Sequence, residues 1–562
     1  MGSVRCTFVC VVLAATALHG CSGSNHIQDP YAYLCKDRVT GAQLAAIAPD
    51  RGTQFGDQQV TAVISDVGPS FTPTAVFLGN KARGFTVTAR SGNELSIAFT
   101  TAGTPTPGTY PLVAVDISGT CADIENAYTY TPPVSSAFRT FVGFGASGTA
   151  GFQSGSYNGT AQINSPAAWV ARQAGAYFPI PLFKMPGIPP APGFDALATD
   201  GTFTGSISDI VTCLAGTKNF PDLFESPEVV PYNIAIPGAT VEDEVLGPAS
   251  KTSMSFAIIA LSNVLFAPYD NNFFETKDIR PEIQMARDLH PTLIMSMDLY
   301  INNLITNEVS TSYDTFVQYI TQDVGALAST GAQVFLADVP HAVLLLPTSQ
   351  LTALSSLTPC GMTFSDVPGG VFGLDQAADE DNCAATFSTA TAGPGSTCAY
   401  NACESLVPMD LSVDRFNREF DSVVARYPNV HVVRLAGALS GRVAIAGQFV
   451  TINTQGIPQY TIGNTAVAMK HLGGLSSLDD AHPTNTGYAL IAALFVQTIN
   501  ETLGTSVPLP DLSSTLAGDP LSPPALESYC SRQANRQKLF CQCISGASVS
   551  VTTFTCNTSI LY

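Results

Sequence analysis

The chain has 562 residues, of which 45% are hydrophobic and 12% are charged, and its formal net charge is −20. So much apolar material argues against a largely disordered chain, and the length predicts several domains at roughly 150 residues each. The acidic balance, with no run of Lys and Arg, also argues against nucleic-acid binding, because phosphate neutralisation needs clustered basic side chains.

Residues 1–20 have the pattern of an export signal. Their apolar run, from Thr7 to Leu18, is too short to span a bilayer as a mature helix. The Leu-His-Gly-Cys sequence that ends at Cys21 resembles a bacterial lipobox, in which the cysteine is lipidated. We therefore predict a lipid anchor on Cys21 and a tether over residues 21–34. The protein would be an exported bacterial cell-surface or outer-membrane lipoprotein that contacts the membrane through this anchor, with secretion as the alternative.

Residues 35–134 have the pattern of an all-β module. Short β-rich runs are separated by Gly, Pro and Asn turns at the spacing of a β-sandwich. These runs are 60–64, 74–78, 85–88, 95–99 and 112–115. The Gly-Asp-Gln-Gln-Val-Thr motif that begins at Gly56 and the Pro-Gly-Thr-Tyr motif that begins at Pro107 resemble an IPT/TIG immunoglobulin-like module. The resemblance implies an Ig-like spacer or contact domain.

A Pro-containing linker follows at residues 131–136, and beyond it the pattern changes to alternating strands and helices. Runs with strand character are 141–145, 229–236, 293–298, 333–339 and 430–435. Segments with helix character are 165–176, 314–329, 411–427 and 486–503. This alternation predicts an α/β domain over residues 138–505, with a mostly parallel sheet that is covered by helices.

The chain contains 14 cysteines, and so many in an exported protein favour disulfides. Their order suggests a pair, Cys35 with Cys121, and two groups of four. The groups are Cys360, Cys383, Cys398 and Cys403, and Cys530, Cys541, Cys543 and Cys556. The first group lies in a Thr-, Ser-, Gly- and Pro-rich insertion over 346–408, and the second lies in a C-terminal extension over 506–562. The pairing within each group stays open, zinc binding is the alternative for the second group, and Cys213 is left over.

Three short motifs bear on chemistry. A strand-like run ends in a Gly-Ala-Ser motif at Ser147, a Pro-Gly turn follows in mid-chain at Gly238, and an Asp-x-x-His-Pro motif joins Asp479 to His482. An acid three residues before a histidine lets one short loop hold a carboxylate against an imidazole nitrogen, and the other nitrogen can then activate a hydroxyl. Asp480 lacks this spacing, so Asp479 is the preferred acid.

Taken in this order, the three motifs resemble those of the GDSL/SGNH serine hydrolases, in particular the exported lipoprotein type. The resemblance covers about residues 138–505 and implies the three-layer α/β/α SGNH fold. It also implies that Ser147 is the nucleophile, that His482 is its general base and acid, and that Asp479 orients and stabilises the imidazolium. The N–H groups of Ser147 and Gly238 would form the oxyanion hole.

Two departures from the family pattern concern supporting positions. The family's Gly-Asp-Ser is Gly-Ala-Ser here, so Ala146 lacks the acid that organises the loop. The family's Gly-x-Asn-Asp block, expected after Asp298, is replaced by a segment that contains Asn302 and Asn303. Both asparagines remain candidates for the side-chain donor of the oxyanion hole.

We therefore expect an exported serine esterase or lipase that hydrolyses a carboxylic ester through an acyl-enzyme on Ser147. The ester would be an acyl lipid, a short-chain ester or an acetylated glycan, and a thioesterase or lysophospholipase would differ only in substrate. No cofactor or metal is implied, because the sequence has no Gly-rich phosphate loop before a lysine and no His-x-x-x-His pair. The alternative is a surface binding or adhesion protein that keeps the fold but has lost turnover.

Overall fold

The computed structural model describes residues 35–197, 223–225, 229–247, 281–305, 312–340, 413–452, 458–469, 472–479, 481–544, 550–551 and 554–555. The predicted signal peptide, Cys21, Cys213 and the insertion over 346–408 lie outside the described residues. The chain divides into two compact units. Of the described residues, the first unit comprises 35–52, 58–101 and 107–130, and the second comprises the remainder.

The first unit contains two β-sheets. Its strands are β1 (Asp37–Arg38), β2 (Gln43–Ala48), β3 (Arg51–Thr53), β4 (Gln59–Ser65), β5 (Pro73–Leu78), β6 (Asn80–Lys81), β7 (Gly84–Ser91), β8 (Glu94–Thr100), β9 (Gly108–Asp116) and β10 (Thr120–Thr131). One sheet has the order β1-β10-β9-β5-β6, with β3 also paired to β10, and the other has the order β2-β4-β8-β7. Neighbouring strands of the second sheet are antiparallel, as are β10, β9 and β5 of the first.

Alternating apolar residues form the core of this unit. Strand β4 buries every second residue, namely Val60, Ala62 and Ile64. These side chains belong to one core cluster with Leu112 and Ala114 of β9, which lies in the other sheet. Because successive side chains of a strand point to opposite faces, a period of two buries one face of each sheet. The unit is thus an antiparallel β region separate from the α/β part of the chain.

The second unit is built on a parallel sheet. Its strands are β11 (Phe141–Gly143), β12 (Leu293–Ser296), β13 (Gln333–Ala337) and β14 (Val430–Val433), which lie in this order and are parallel. On the other side of β11, Asn233 forms a parallel bridge with Gly143. The strand predicted at 229–236 is therefore only a short extended stretch. Pro231 and Pro237 explain its length, because proline has no N–H to donate to a sheet.

Helices cover both faces of this sheet. They are α1 (Ser147–Ala150), α2 (Gly159–Ile163), α3 (Pro166–Ala174), α4 (Val241–Leu246), α5 (Glu282–Asp288), α6 (Asn302–Ile305), α7 (Tyr313–Ala328), α8 (413–424), α9 (Leu435–Leu439), α10 (Asn485–Leu503), α11 (Leu512–Gly518), α12 (Pro523–Ser531) and α13 (Leu539–Ile544). Val142 and Ile294 share a core cluster with residues of α4, α5 and α7, whereas Phe141 and Leu293 share one with residues of α3 and α10. The sheet therefore lies between two helical layers, and the predicted α/β class is confirmed.

Smaller elements and disulfides accompany this core. The antiparallel strands β15 (Thr451–Ile452), β16 (Pro458–Ile462) and β17 (Thr465–Ala468) form one small sheet, and β18 (Ser550–Val551) pairs with β19 (Phe554–Thr555). Cys35 is bonded to Cys121, as predicted, and Cys530 is bonded to Cys541, which removes two thiolates from the alternative zinc site. Within the described ranges, no helix combines the length and the apolar character that crossing a membrane requires.

Candidate active site

Ser147 lies at the carboxyl end of β11, where the strand turns into α1. Gly145, two residues earlier, has a φ of +118°, a conformation that favours glycine. A Cβ atom at Gly145 would lie 2.3 Å from the Oγ of Ser296, so a side chain does not fit there without displacement. The tight turn makes Ser147 the first residue of α1 and leaves it partly exposed at the edge of the sheet.

The structure brings Ser147, His482 and Asp479 together. The Oγ of Ser147 lies 2.9 Å from Nε2 of His482, and Nδ1 of the same imidazole lies 2.9 Å from Oδ2 of Asp479. Only 15% of the His482 side chain and 11% of the Asp479 side chain are exposed. Both contacts are hydrogen-bond distances. They join a hydroxyl, an imidazole and a carboxylate in series, which is an arrangement that can move a proton from the hydroxyl to the imidazole.

Donors from two loops hold Asp479 as a carboxylate. Its Oδ1 accepts hydrogen bonds from the hydroxyl of Ser477 at 3.0 Å and from the N–H groups of Ala481 and His482. Its Oδ2 also accepts the N–H of Gly155 at 2.7 Å. Burial acts to raise the pKa of Asp479, but His482 and the backbone donors outweigh burial and lower the pKa to about 2. The carboxylate is therefore charged at neutral pH, whereas the competing Asp480 lies outside the described residues.

The environment of His482 favours its protonated form. Burial acts to lower the pKa of His482, but the charge and hydrogen bond of Asp479 and the charge of Asp298 outweigh burial and raise it above the ordinary value. The imidazole ring also packs edge-on against Phe152, with the ring centroids 4.8 Å apart. The ring contact and the Asp479 hydrogen bond together orient Nε2 towards Ser147.

A short segment after α1 contacts the loop that carries the histidine. The N–H of Ser154 donates to the Oγ of Ser477 at 2.8 Å, and the N–H of Leu478 donates to the Oγ of Ser154 at 3.1 Å. The side-chain amide of Gln153 donates to the carbonyl of Pro483 at 3.0 Å. Ser154 has a φ of +54°, which is uncommon for a residue other than glycine. Sequence reasoning missed these supports, although a run of small polar residues after the Gly-Ala-Ser motif was visible.

Asp298 is a second buried carboxylate at the site, and sequence reasoning treated it only as the end of a strand. It follows β12 and is 1% exposed. Its Oδ1 accepts hydrogen bonds from the N–H of Ala146 and from the N–H and hydroxyl of Thr149, and its Oδ2 accepts the N–H of Gly148. These contacts join positions 149 to 152 residues apart, so no local pattern could indicate them.

The turn that contains Gly238 lies at the same edge of the sheet. The N–H of Ile236 donates to the carbonyl of Gly145 at 2.9 Å, which joins this turn to the loop before Ser147. Gly238 has a φ of +87°. Thr240 then forms a capping box with Asp243 at the start of α4, so the chain is fixed immediately after the turn.

Both predicted asparagines contact this turn. The side-chain amide of Asn302 donates to the carbonyl of Ala239 at 2.8 Å. Asn303, which is buried, accepts the N–H of Val241 on its Oδ1 at 3.2 Å. The structure therefore places both asparagines against the residues that follow Gly238.

Neither a metal site among the described residues nor a comparison with known proteins indicates what this site does. In the ranges that the structure describes, His, Cys, Asp and Glu side chains form no group of three or more that could hold a metal ion. No family model matches the chain, and no curated protein matches it. The function is therefore inferred from the positions and the chemistry of the side chains.

Proposed function

We propose that this protein is an exported serine esterase or lipase of the SGNH type that hydrolyses carboxylic esters through an acyl-enzyme on Ser147. One observation carries the proposal: two 2.9 Å contacts link Ser147 to His482 and His482 to Asp479. A serine hydroxyl is a weak nucleophile, and an adjacent imidazole that a carboxylate orients is an arrangement that activates it. Ser147 and His482 are 335 residues apart in sequence, so local chain geometry alone does not explain their contact.

The order of the parts along the chain supports the SGNH type within the α/β class. The nucleophile follows the first strand of the parallel sheet, and the Gly238 turn follows the extended stretch beside that strand. The acid and the histidine lie in one loop immediately before the long helix α10. The same three motifs, in the same order, were the basis of the resemblance in sequence.

The proposed reaction has two halves. First, Nε2 of His482 accepts the hydroxyl proton of Ser147 while the Oγ of Ser147 attacks the ester carbonyl carbon. The imidazolium then protonates the departing alcohol oxygen. Next, the same imidazole activates a water molecule that attacks the acyl-enzyme, and the proton returns to Ser147 as the carboxylic acid leaves. Asp479 stays charged throughout and stabilises the imidazolium.

The N–H groups of Ser147 and Gly238 are the proposed backbone donors to the oxyanion. One such donor typically contributes about 3 kcal/mol of transition-state stabilisation. Asn302 and Asn303 are both candidates for a third donor: the amide nitrogen of Asn302 donates to the carbonyl of Ala239, and the Oδ1 of Asn303 accepts the N–H of Val241.

The substrate classes are an acyl lipid, a short-chain ester or an acetylated glycan. Lipidation of Cys21 would hold the protein at a membrane surface, near acyl lipids. The alternative is a surface binding protein with weakened catalysis, and the engagement of Asn302 with Ala239 is the observation that favours it. This alternative predicts binding to lipid or glycan without acylation of Ser147.

Labelling with a fluorophosphonate probe tests the proposal, because such probes react with activated serines. Wild type should be labelled, whereas Ser147→Ala and His482→Ala should not. Ser70→Ala, at an exposed serine of the first unit, and His290→Asn, at an exposed histidine, are the matched controls and should be labelled like wild type. A folded wild-type protein that stays unlabelled would refute the catalytic proposal and leave the binding alternative.

A further inference from the structure

The loop around Ser147 has a support that comes from another strand. The Asp298 carboxylate accepts hydrogen bonds from the residue before Ser147 and from the two residues after it. The hydroxyl of Thr149 adds a fourth hydrogen bond to Asp298, at 2.6 Å. The N–H of Ser147 itself is not among these donors. The carboxylate thus fixes the backbone on both sides of the nucleophile. None of the hydrogen bonds that it accepts comes from the N–H of Ser147, which the proposed mechanism assigns to the oxyanion.

Thr149 connects this carboxylate to the sheet from two directions. Its hydroxyl accepts the N–H of Met297 at 3.0 Å while it donates to Asp298. Its carbonyl accepts the side-chain amide of Asn233 at 2.9 Å, and Asn233 bridges to β11. Thr149, Asn233 and Asp298 are each less than 5% exposed. The start of α1 is therefore tied both to the end of β12 and to the extended stretch beside β11.

Ala146 lies where the resembling family has the aspartate of its Gly-Asp-Ser motif. An alanine cannot accept hydrogen bonds with its side chain, so a loop that needs a carboxylate must receive it from elsewhere. Asp298 offers that carboxylate and receives the N–H of Ala146 itself at 3.1 Å. The buried Asp298 carboxylate also acts electrostatically, because its charge raises the pKa of His482.

We propose that Asp298 is a positioning residue of the reaction: it replaces the missing loop acid, holds Ser147 in its reactive position and orients the Ser147 N–H towards the oxyanion. This inference rests on the proposed function, since it concerns the same nucleophile. This inference adds a second functional carboxylate, which lies just after β12 and acts through the backbone and not by contact with substrate.

Asp298→Asn is the first test, because the amide keeps the size of the side chain and removes the charge. We expect kcat for a short-chain aryl ester to fall by about 10- to 100-fold, because a small displacement of a nucleophile costs that much, while KM changes little. The acid limb of kcat/KM should also move to lower pH, since a negative charge that raises the His482 pKa is gone. A merely structural role would not move that limb.

Asp66→Asn is the matched control, because Asp66 is exposed in the first unit and has a φ of +58°, which asparagine tolerates. It should leave kcat and the pH profile unchanged. Wild-type rates and an unshifted profile for Asp298→Asn would overturn this inference and leave the proposed function intact. An unlabelled wild type would overturn both.

Thr149→Val gives a second test if Asp298→Asn does not fold. It removes the hydrogen bond that the hydroxyl donates to Asp298 and the one that it accepts from the N–H of Met297, but keeps the charge, so kcat should fall about 10-fold without a shift of the acid limb. Thr149→Ser keeps the hydroxyl and should recover most of the lost kcat. If both Thr149 variants react at the wild-type rate, the hydrogen bonds around Asp298 do not position the nucleophile and the inference is wrong.

Discussion

The two titratable members of the proposed triad stabilise each other's charged forms. The Asp479 pKa is lowered to about 2, so its contribution to the free energy of unfolding is present above the ordinary value of about 3.9 and is lost as pH falls through the folded value. The His482 pKa is raised, so its contribution is complete below the ordinary value of about 6.5 and is lost as pH rises through the folded value. The ion pair is therefore strongest in mildly acidic solution.

Catalysis needs the opposite form of the histidine. His482 acts as a base only when neutral, so kcat/KM should rise as pH increases through the raised His482 pKa. Asp479→Asn should move this rise to lower pH, because it removes the adjacent charge. It should also lower kcat by about 10³- to 10⁴-fold, because the imidazole loses its preferred tautomer. Initial rates on a short-chain aryl ester over roughly pH 5 to 9 measure both effects.

Asp66→Asn serves again as the control, because it removes one acid far along the chain from the site. An acid limb that stays in place in Asp479→Asn would show that the contact between Asp479 and His482 does not set the His482 pKa. It would also contradict the assignment of Asp479 as the orienting acid.

At the scale of elements, periodicity in the sequence predicts what is local. The apolar pattern of 314–329 matches α7 within one residue at each end, and that of 486–503 matches α10 within one residue. The first strand is shorter than predicted: β11 ends at Gly143, because Gly145 already has the positive φ of the turn. Side-chain alternation and helical period are properties of adjacent residues, and they can therefore be read without the fold.

The candidate site could be predicted only where chemistry leaves a motif. The acid-histidine spacing indicates Asp479 and His482 because one loop contains both. Asp298 and Ser154 show no such signal, since their roles depend on contacts with residues more than 100 positions away. A carboxylate that accepts backbone N–H groups can reach them from any strand, so its position in sequence is not constrained. The residues that position the site, Asp298 and Ser154, could therefore be identified only from the folded structure.

The turn between β11 and α1 allows a direct test of an element. Gly145→Ala would place a Cβ atom 2.3 Å from the Oγ of Ser296, and its φ of +118° disfavours alanine. We expect labelling of Ser147 by the fluorophosphonate probe to slow by about 100-fold or more, because the nucleophile loop must shift. The rate of labelling, measured beside the melting temperature, separates misplacement from unfolding.

Gly92→Ala separates the steric clash from backbone strain. Gly92 also has a positive φ, of +56°, but an added Cβ atom meets nothing within 4 Å. It should lose stability by about 1 kcal/mol and keep the labelling rate. The double variant Gly145→Ala/Ser296→Ala removes the clashing Oγ and should recover part of the rate. Equal labelling of Gly145→Ala and wild type would contradict the need for a glycine at this turn.

At the scale of the whole unit, a group of buried acids lies between the helices on one face of the parallel sheet. Glu244 of α4, Glu282 of α5 and Asp323 of α7 are each no more than 2% exposed. Glu244 is hydrogen-bonded through its side chain to Asp323, and Glu282 accepts a backbone hydrogen bond from Gly145. Burial, and then the charge of Asp323, raise the pKa values of Glu244 and Glu282 well above the ordinary value, and burial raises the pKa of Asp323 to about 7.

The direction of the resulting pH dependence follows from proton binding. The folded form holds protons on these acids at pH values where the unfolded chain, with ordinary pKa values near 4, has released them. Stability therefore falls as pH rises from about 4 towards the folded pKa values. Asp243 and Asp298 act in the same direction, since their charges also raise the pKa of Glu282. The helical layer beside the Gly238 turn should consequently be more stable in mildly acidic than in alkaline solution.

Asp323→Asn tests this dependence, because the amide fills the same space without a charge. The variant should melt about 2 to 6 °C above wild type at about pH 8 and show a much smaller gain at about pH 5, where wild-type Asp323 is protonated. Asp314→Asn is the matched control on the same helix, since Asp314 is exposed in its first turn. Calorimetric melting curves across this range provide the comparison. If the melting temperatures of Asp323→Asn and wild type differ by the same amount at each pH, the pKa of Asp323 is not raised in the folded protein. Asp323 would then not be the cause of the pH dependence.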